Sequence, residues 1–186
     1  MFEALLEQIA QGLDARRIPY MVIGGQAVLL YGEPRLTRDV DVTLGVGPDR
    51  LPEILEWVRE TQWRILVDSP AQFVAQTLVL PCLQEESGIR VDLIFSFSTY
   101  ERQAIQRGRP ITVGKTAVRY ASVEDLIIHK VVAGRARDLE DVRSVLLKNP
   151  EMDADYTRKW LREIDADGEK KLLANFEELW KQRGKK

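Results

Sequence analysis

The sequence predicts an α/β domain over roughly residues 1–120, followed by a small helical domain over 121–186. Two observations carry this reading. Short apolar segments of strand character, Tyr20–Ile23, Asp39–Leu44 and Ile89–Phe95, alternate with amphipathic helical stretches in the first two thirds of the chain. From Ser122 onward the pattern is helical only, interrupted near Gly134, Asn149-Pro150 and Asp167-Gly168.

Each element has its own signal. Phe2, Leu5, Leu6, Ile9 and Leu13 recur at helical spacing and define a first helix that ends near Arg17. Pro19 precedes the strand Tyr20–Ile23, Gly24-Gly25 breaks it, and 26–31 reads as a short helix. After the strand Asp39–Leu44, Pro48 opens a helix whose stripe is Leu51, Ile54, Leu55 and Val58. Segments 63–67, 73–80 and Ile89–Phe95 read as strands, 99–107 as a helix, and 111–120 as an extended pair around Gly114. Ser122 is an N-cap with Glu124 and Asp125 in the first turn, where the helix dipole favours acids. Trp57, Trp63, Trp160 and Trp180 lie on apolar faces and are expected in the core.

Charge and cysteine content narrow the function. The formal net charge of −2 excludes a global basic field, so any polynucleotide contact needs a local patch. Cys82 is the only cysteine, which excludes an intrachain disulfide and points to a reducing compartment. The first seventeen residues carry acids and no uninterrupted apolar core, unlike a signal peptide, and no run of about twenty apolar residues could cross a bilayer. A soluble cytoplasmic protein is the expectation.

The chemistry concentrates in residues 24–41 and at Asp92. Gly24-Gly25 sits between a strand and a helix, where glycine lets backbone N–H groups approach a phosphate; an ordinary tight turn is the alternative. Asp39 and Asp41 are two apart on a strand and share one face, while Val40 and Val42 share the other. Asp92 repeats the pattern inside Val91-Asp92-Leu93-Ile94. Such carboxylates fit an edge strand's polar face, but amid apolar neighbours their repulsion asks for a cation. Arg35, Thr37 and Arg38 precede the first acid and suit triphosphate oxygens, or, for Arg38, plain neutralisation of the aspartates. Lys130 falls in the middle of the apolar stripe Val123, Leu126, Ile127 and Val131. Phosphate contact and an ion pair with Asp141 or another carboxylate explain it equally well. If that helix continues, Gly134, Arg137 and Asp141 fall on its same side. His129, the only histidine, lacks zinc partners and reads as structural, and no Ser-His-Asp set can be assembled around it.

At these residues the chain resembles the nucleotidyltransferase superfamily with the DNA polymerase β-like fold: Gly24-Gly25, then Asp39-Val40-Asp41, then Asp92 on a later strand. The string GGQAVLLYGEPRLTRDVDV is similar to a bacterial branch that includes the AbiEii-type toxins, with Arg35, Thr37, Asp39 and Asp41 matching its motif. The segment EDLIIHKVVAGRARDLEDV resembles that branch's helical motif, and the matches span about residues 20–145. The resemblance implies a mixed sheet flanked by helices and a catalytic set of Asp39, Asp41 and Asp92 holding two Mg²⁺ ions. It implies phosphate positioning by Gly24, Gly25 and Thr37, with Arg35 and Lys130 as further nucleotide contacts. The reaction would be transfer of NMP from an NTP, expected to be ATP, to a hydroxyl of an RNA 3′ end, a protein or a small molecule. A cognate toxin or antitoxin partner is a further implication. The alternative is a nucleotidyltransferase fold kept as a non-catalytic binding partner, against which the presence of all three acids argues.

Overall fold

Alternation of buried and open positions builds the sheet. In β2 (Asp39–Leu44) Val40 and Val42 are fully buried while Asp39 and Asp41 are half-buried, and β5 (Ile89–Phe95) buries Ile89, Val91, Leu93 and Phe95. With β1 (Tyr20–Ile23), β3 (Arg64–Ile65), β4 (Val79–Gln84), β6 (Arg109–Val113) and β7 (Thr116–Tyr120) these form a seven-stranded sheet of order β3-β4-β5-β2-β1-β7-β6. The pairs β2/β5 and β1/β7 are parallel and the other four antiparallel, so the sheet is mixed.

The computed structural model describes residues 1–96 and 98–183. Two units are present: Met1–Gln26 with Thr37–Tyr120, and Ala27–Leu36 with Ala121–Lys186. The first holds the whole sheet. Its α1 (Phe2–Ala15) buries Leu5, Leu6, Ile9 and Leu13 and packs against β6 and β7. The helix α2 (Gly24–Tyr31) starts directly from β1 at the glycine pair. A 3₁₀ turn, Pro48–Arg50, leads into α3 (Leu51–Glu60), whose Trp57 meets Trp63 with ring centroids 5.3 Å apart. Next come α4 (Pro70–Thr77) and α5 (Thr99–Gln106). The start of α5 is set by a capping box: Ser98 Oγ accepts from the Glu101 N–H at 3.1 Å, and the Glu101 carboxylate accepts from the Ser98 N–H at 3.0 Å.

In the second unit α6 (Val123–Ala133) packs against α7 (Ala136–Lys148), α8 (Ala154–Ile164) and α9 (Leu172–Gln182) around Leu126, Val131, Val142, Trp160, Leu161 and Phe176. Ser122 caps α6 as expected, accepting from the Asp125 N–H at 3.2 Å. Segment 31–36 is tied to α7 and its end: the Glu33 N–H donates to Ser144 Oγ at 2.8 Å and Asn149 Nδ2 donates to the Tyr31 carbonyl at 2.7 Å. Among the described residues no helix is long and apolar enough to cross a membrane.

Two expectations are corrected. Segment 73–80 is not one strand: Ser69-Pro70 opens α4, Leu78 stops it in the left-handed region at φ 60°, and β4 begins at Val79. Its alanines and glutamines are good helix formers, and the apparent alternation joined a helix end to a strand start. The strand at 63–67 shrinks to Arg64–Ile65, because Trp63 turns into the core at 5% exposure. The interruption expected near Gly134 is present: Gly134, at φ 65°, ends the helix carrying Lys130 through a left-handed cap, and α7 starts afresh.

Candidate active site

Strand register brings the predicted acids together. In the parallel pair β2/β5, Asp41 stands opposite Asp92 and Asp39 opposite Arg90, so three carboxylates and one guanidinium share a face. Like charges about 5 Å apart, the spacing of neighbouring strands, repel by about 3 kcal/mol at an effective dielectric near 20. Local contacts relieve part of that. Thr37, itself buried, donates from Oγ1 to Asp39 Oδ1 at 3.0 Å, and Arg90 Nε donates to Asp92 Oδ1 at 2.8 Å. The Asp92 hydrogen bond raises the Arg90 guanidinium above its ordinary value against a smaller effect of burial, and the charges of Asp92, Asp39 and Asp41 add to the rise.

Asp41 lies against the amino end of α2. Gly24 adopts φ +63°, and a Cβ there would collide with Asp41 Oδ2 and lie 2.8 Å from its Cγ. Glycine is therefore required twice, by its backbone angle and by the carboxylate pressed against it. The first N–H groups of a helix have no intrahelical acceptor and carry the positive end of its dipole. On the same turn Gln26 is buried at 5% exposure, and its Nε2 has no hydrogen-bond partner among the described residues.

Gly24, Gly25, Thr37, Asp39, Asp41 and Asp92 thus all belong to the first unit. Arg35 and Lys130 belong to the second, and both end on Asp141. Arg35 grips it from two nitrogens, Nε to Oδ1 at 2.7 Å and Nη2 to Oδ2 at 2.9 Å. Lys130, 7% exposed, reaches Asp138 Oδ1 at 2.7 Å and Asp141 Oδ2 at 2.9 Å. Burial alone would raise both carboxyls, but hydrogen bonds from Arg135 and Lys130 hold Asp138 below its ordinary value, and those from Arg35 and Lys130 do the same for Asp141.

One residue escaped the sequence reading: Arg90 had a usable signal, lying two residues before Asp92 on one strand. Asp138 falls inside the segment EDLIIHKVVAGRARDLEDV that carries the helical motif, but its pairing with Lys130 is set only where α7 packs back on α6. Cys82 is no candidate nucleophile: burial, then the charge of Asp92, pushes its thiol up to about 12.

The donor chemistry suits a hard divalent cation, with three carboxylates on one face and Gly24 giving Asp41 its room. The set is not pre-gathered, however. Among the described residues no three His, Cys, Asp or Glu side chains converge as a ready centre, and Asp92 and Asp39 are turned to Arg90 and Thr37.

Solved structures share the fold of this mixed sheet and its flanking helices. ANT(2″)-Ia in complex with adenylyl-2″-tobramycin is similar at TM-score 0.58 and 18% identity, covering 89% of this chain and 97% of that one. An antigenic nucleotidyltransferase-like protein from Paracoccidioides brasiliensis is similar at TM-score 0.55 and 18% identity, covering 91% of each chain. The lincomycin-bound lincosamide antibiotic adenylyltransferase LnuA gives TM-score 0.52 and 16% identity over 74% of this chain and 91% of that one. At such identities the likeness is one of fold. No curated protein matches the chain. The sequence profile of the family described as "Nucleotidyltransferase of unknown function (DUF6036)" matches residues 1–183, and the chain belongs to that family. It is a nucleotidyltransferase enzyme.

Proposed function

We propose that the protein transfers NMP from an NTP, with ATP the expected donor, to an acceptor hydroxyl in a Mg²⁺-dependent reaction that releases pyrophosphate. The single observation behind this is the register that sets Asp41 opposite Asp92, with Asp39 two residues away and Gly24 against Asp41. Asp39 and Asp41 would hold the metal, and Asp92 would complete its shell or take the acceptor proton. Bound there, Mg²⁺ would neutralise triphosphate charge and lower the pKa of the acceptor hydroxyl. The backbone N–H groups at Gly24 and Gly25, at the start of α2, would receive β- and γ-phosphate oxygens, with Gln26 Nε2 a further donor on that turn and Thr37 fixing the Asp39 carboxylate. The acceptor oxygen bonds to the α-phosphorus as the bond to the bridging oxygen breaks, and positioning and charge neutralisation supply most of the catalysis. We assign Arg35 and Lys130 to the fold rather than to nucleotide, because Asp138 and Asp141 already hold them.

The same proposal includes a cytoplasmic setting and the AbiEii-like branch, with a cognate toxin or antitoxin as a possible partner class. The acceptor is a hydroxyl of a small molecule, in keeping with neighbours solved with adenylyl-2″-tobramycin and with lincomycin, or of RNA or protein. Incubation with α-labelled NTPs and a cell lysate, with Mg²⁺ or with chelator, tests both points. Label should pass to one acceptor class only when Mg²⁺ is present. Transfer from no NTP, or transfer that survives chelation, overturns the reading.

A further inference from the structure

The acidic face carries a built-in cation that the reaction as proposed does not use. Arg90 and Asp92 alternate onto the same face of β5, and the parallel register puts Arg90 directly opposite Asp39. Its Nε holds Asp92 Oδ1 at 2.8 Å, while its side chain remains 52% exposed and that of Asp92 only 17%. Arg90 is thus anchored at one end on a shielded carboxylate and open to solvent along the rest of its side chain. Its charge is felt by all three aspartates, Asp92 most strongly. Asp92, so held, does not converge with Asp39 and Asp41 into a three-carboxylate centre.

We propose that Arg90 is a latch on the acidic face: it parks Asp92 and stands in for the missing positive charge until a metal–triphosphate arrives, then moves from Asp92 to a phosphate oxygen. The proposal rests on the nucleotidyltransferase reading above. Its physical basis is a competition. A divalent cation arriving alone must displace a guanidinium that is already hydrogen-bonded to a ligand it needs, and it leaves that guanidinium without an anion. A triphosphate arriving with the cation supplies one, since phosphate oxygens match the guanidinium fork as well as a carboxylate does. Metal loading is therefore coupled to nucleotide binding, and Arg90 acts as a positioning residue for Asp92. The exchange makes and breaks only ion pairs and hydrogen bonds. No covalent bond changes.

Titration of the protein with Mn²⁺, following free Mn²⁺ by electron paramagnetic resonance, separates the effects without turnover. It is run with and without α,β-methylene-ATP, on the parent, Arg90→Gln and Arg90→Lys, after circular dichroism shows the variants folded. The parent should bind Mn²⁺ weakly alone and well with the analogue. Arg90→Gln should bind Mn²⁺ alone roughly tenfold more tightly and Mn²⁺ with the analogue roughly tenfold less tightly, so that coupling collapses. Arg90→Lys, which keeps the charge but loses the fork, should fall between. Unchanged or weaker binding of Mn²⁺ alone by Arg90→Gln, with the parent still binding Mn²⁺ and analogue together, overturns the latch and leaves the metal-dependent reading standing. A parent that binds no Mn²⁺ even with the analogue overturns both. Should Arg90→Gln not fold, Arg90→Lys decides: coupling as strong as the parent's sinks the latch.

Discussion

Two clusters of aspartates in this protein are built on opposite terms. On β2 and β5, Asp39, Asp41 and Asp92 share a half-open face with the guanidinium of Arg90. In the helical unit, Asp138 and Asp141 are buried at 2% and 5% exposure and are met by three cations, Lys130, Arg35 and Arg135. The second cluster is saturated. Removing water from a carboxylate is costly, and a buried acid persists only when charge and hydrogen bonds replace that water. The first cluster gathers three carboxylates beside Arg90, and it borders a helix start whose glycine admits a carboxylate at close range. Buried aspartates matched by several cations hold the fold together, whereas aspartates gathered on a half-open face are placed to meet a ligand.

The largest expected effect breaks the first cluster. Asp41→Asn should lower turnover with α-labelled NTP by roughly 100- to 1,000-fold, the range for losing one electrostatic stabiliser of a transition state. Its melting temperature should hold or rise, because an amide in place of a repelling carboxylate relieves the face. A large drop in melting temperature would mean that the two clusters do the same job.

Lys130→Met attacks the second cluster. It strands two buried carboxylates and should cost about 3 kcal/mol in chemical denaturation, the low end for breaking a buried pair, since Arg35 and Arg135 remain. Affinity for Mg·NTP should hardly move in the folded variant. A stable Lys130→Met protein with weakened nucleotide binding would return Lys130 to the phosphate site.

Acid should bring out the same contrast more gently. Asp138 and Asp141 titrate in the fold below their ordinary value of 3.8. A depressed carboxyl contributes stability in full well above its unfolded value, and that contribution is lost as pH falls through the folded value. The parent should therefore lose stability steeply below about pH 4, and Lys130→Met less steeply, having less of that contribution to lose. Denaturation midpoints across that range measure both slopes, and parallel slopes would refute the linkage. The smallest effect is the control. Arg64 and Glu85 pair on the surface with side chains 56% and 61% exposed, and Arg64→Ala should shift stability by about 0.5 kcal/mol or less.

How much of this could be read in advance differs by residue. The strands Asp39–Leu44 and Ile89–Phe95 follow their side-chain alternation, Tyr20–Ile23 is a short apolar run buried throughout, and Asp39 and Asp41 fall onto one face because a strand's period is two. The Ser122 cap needed only four consecutive residues. Segment 73–80 was misread because a short apolar run has no period long enough to separate a helix end from a strand start. Lys130 was recognised as anomalous within its own helix, but whether an anion on the protein or on a ligand met it depended on where the chain returned after Gly134.

Sequence by itself determined what acts over a few residues: strand alternation, the glycine pair, the helix cap, and a face carrying aspartates in numbers that ask for a cation. Tertiary structure alone decided which charges are satisfied. Asp141 meets Arg35 across 106 positions of the chain, while Asp41 and Asp92 become neighbours only through the parallel pairing of β2 with β5. The reason is physical. Backbone geometry and capping are local and leave a pattern in consecutive residues, whereas charge compensation depends on distance in space, which only the packed chain sets.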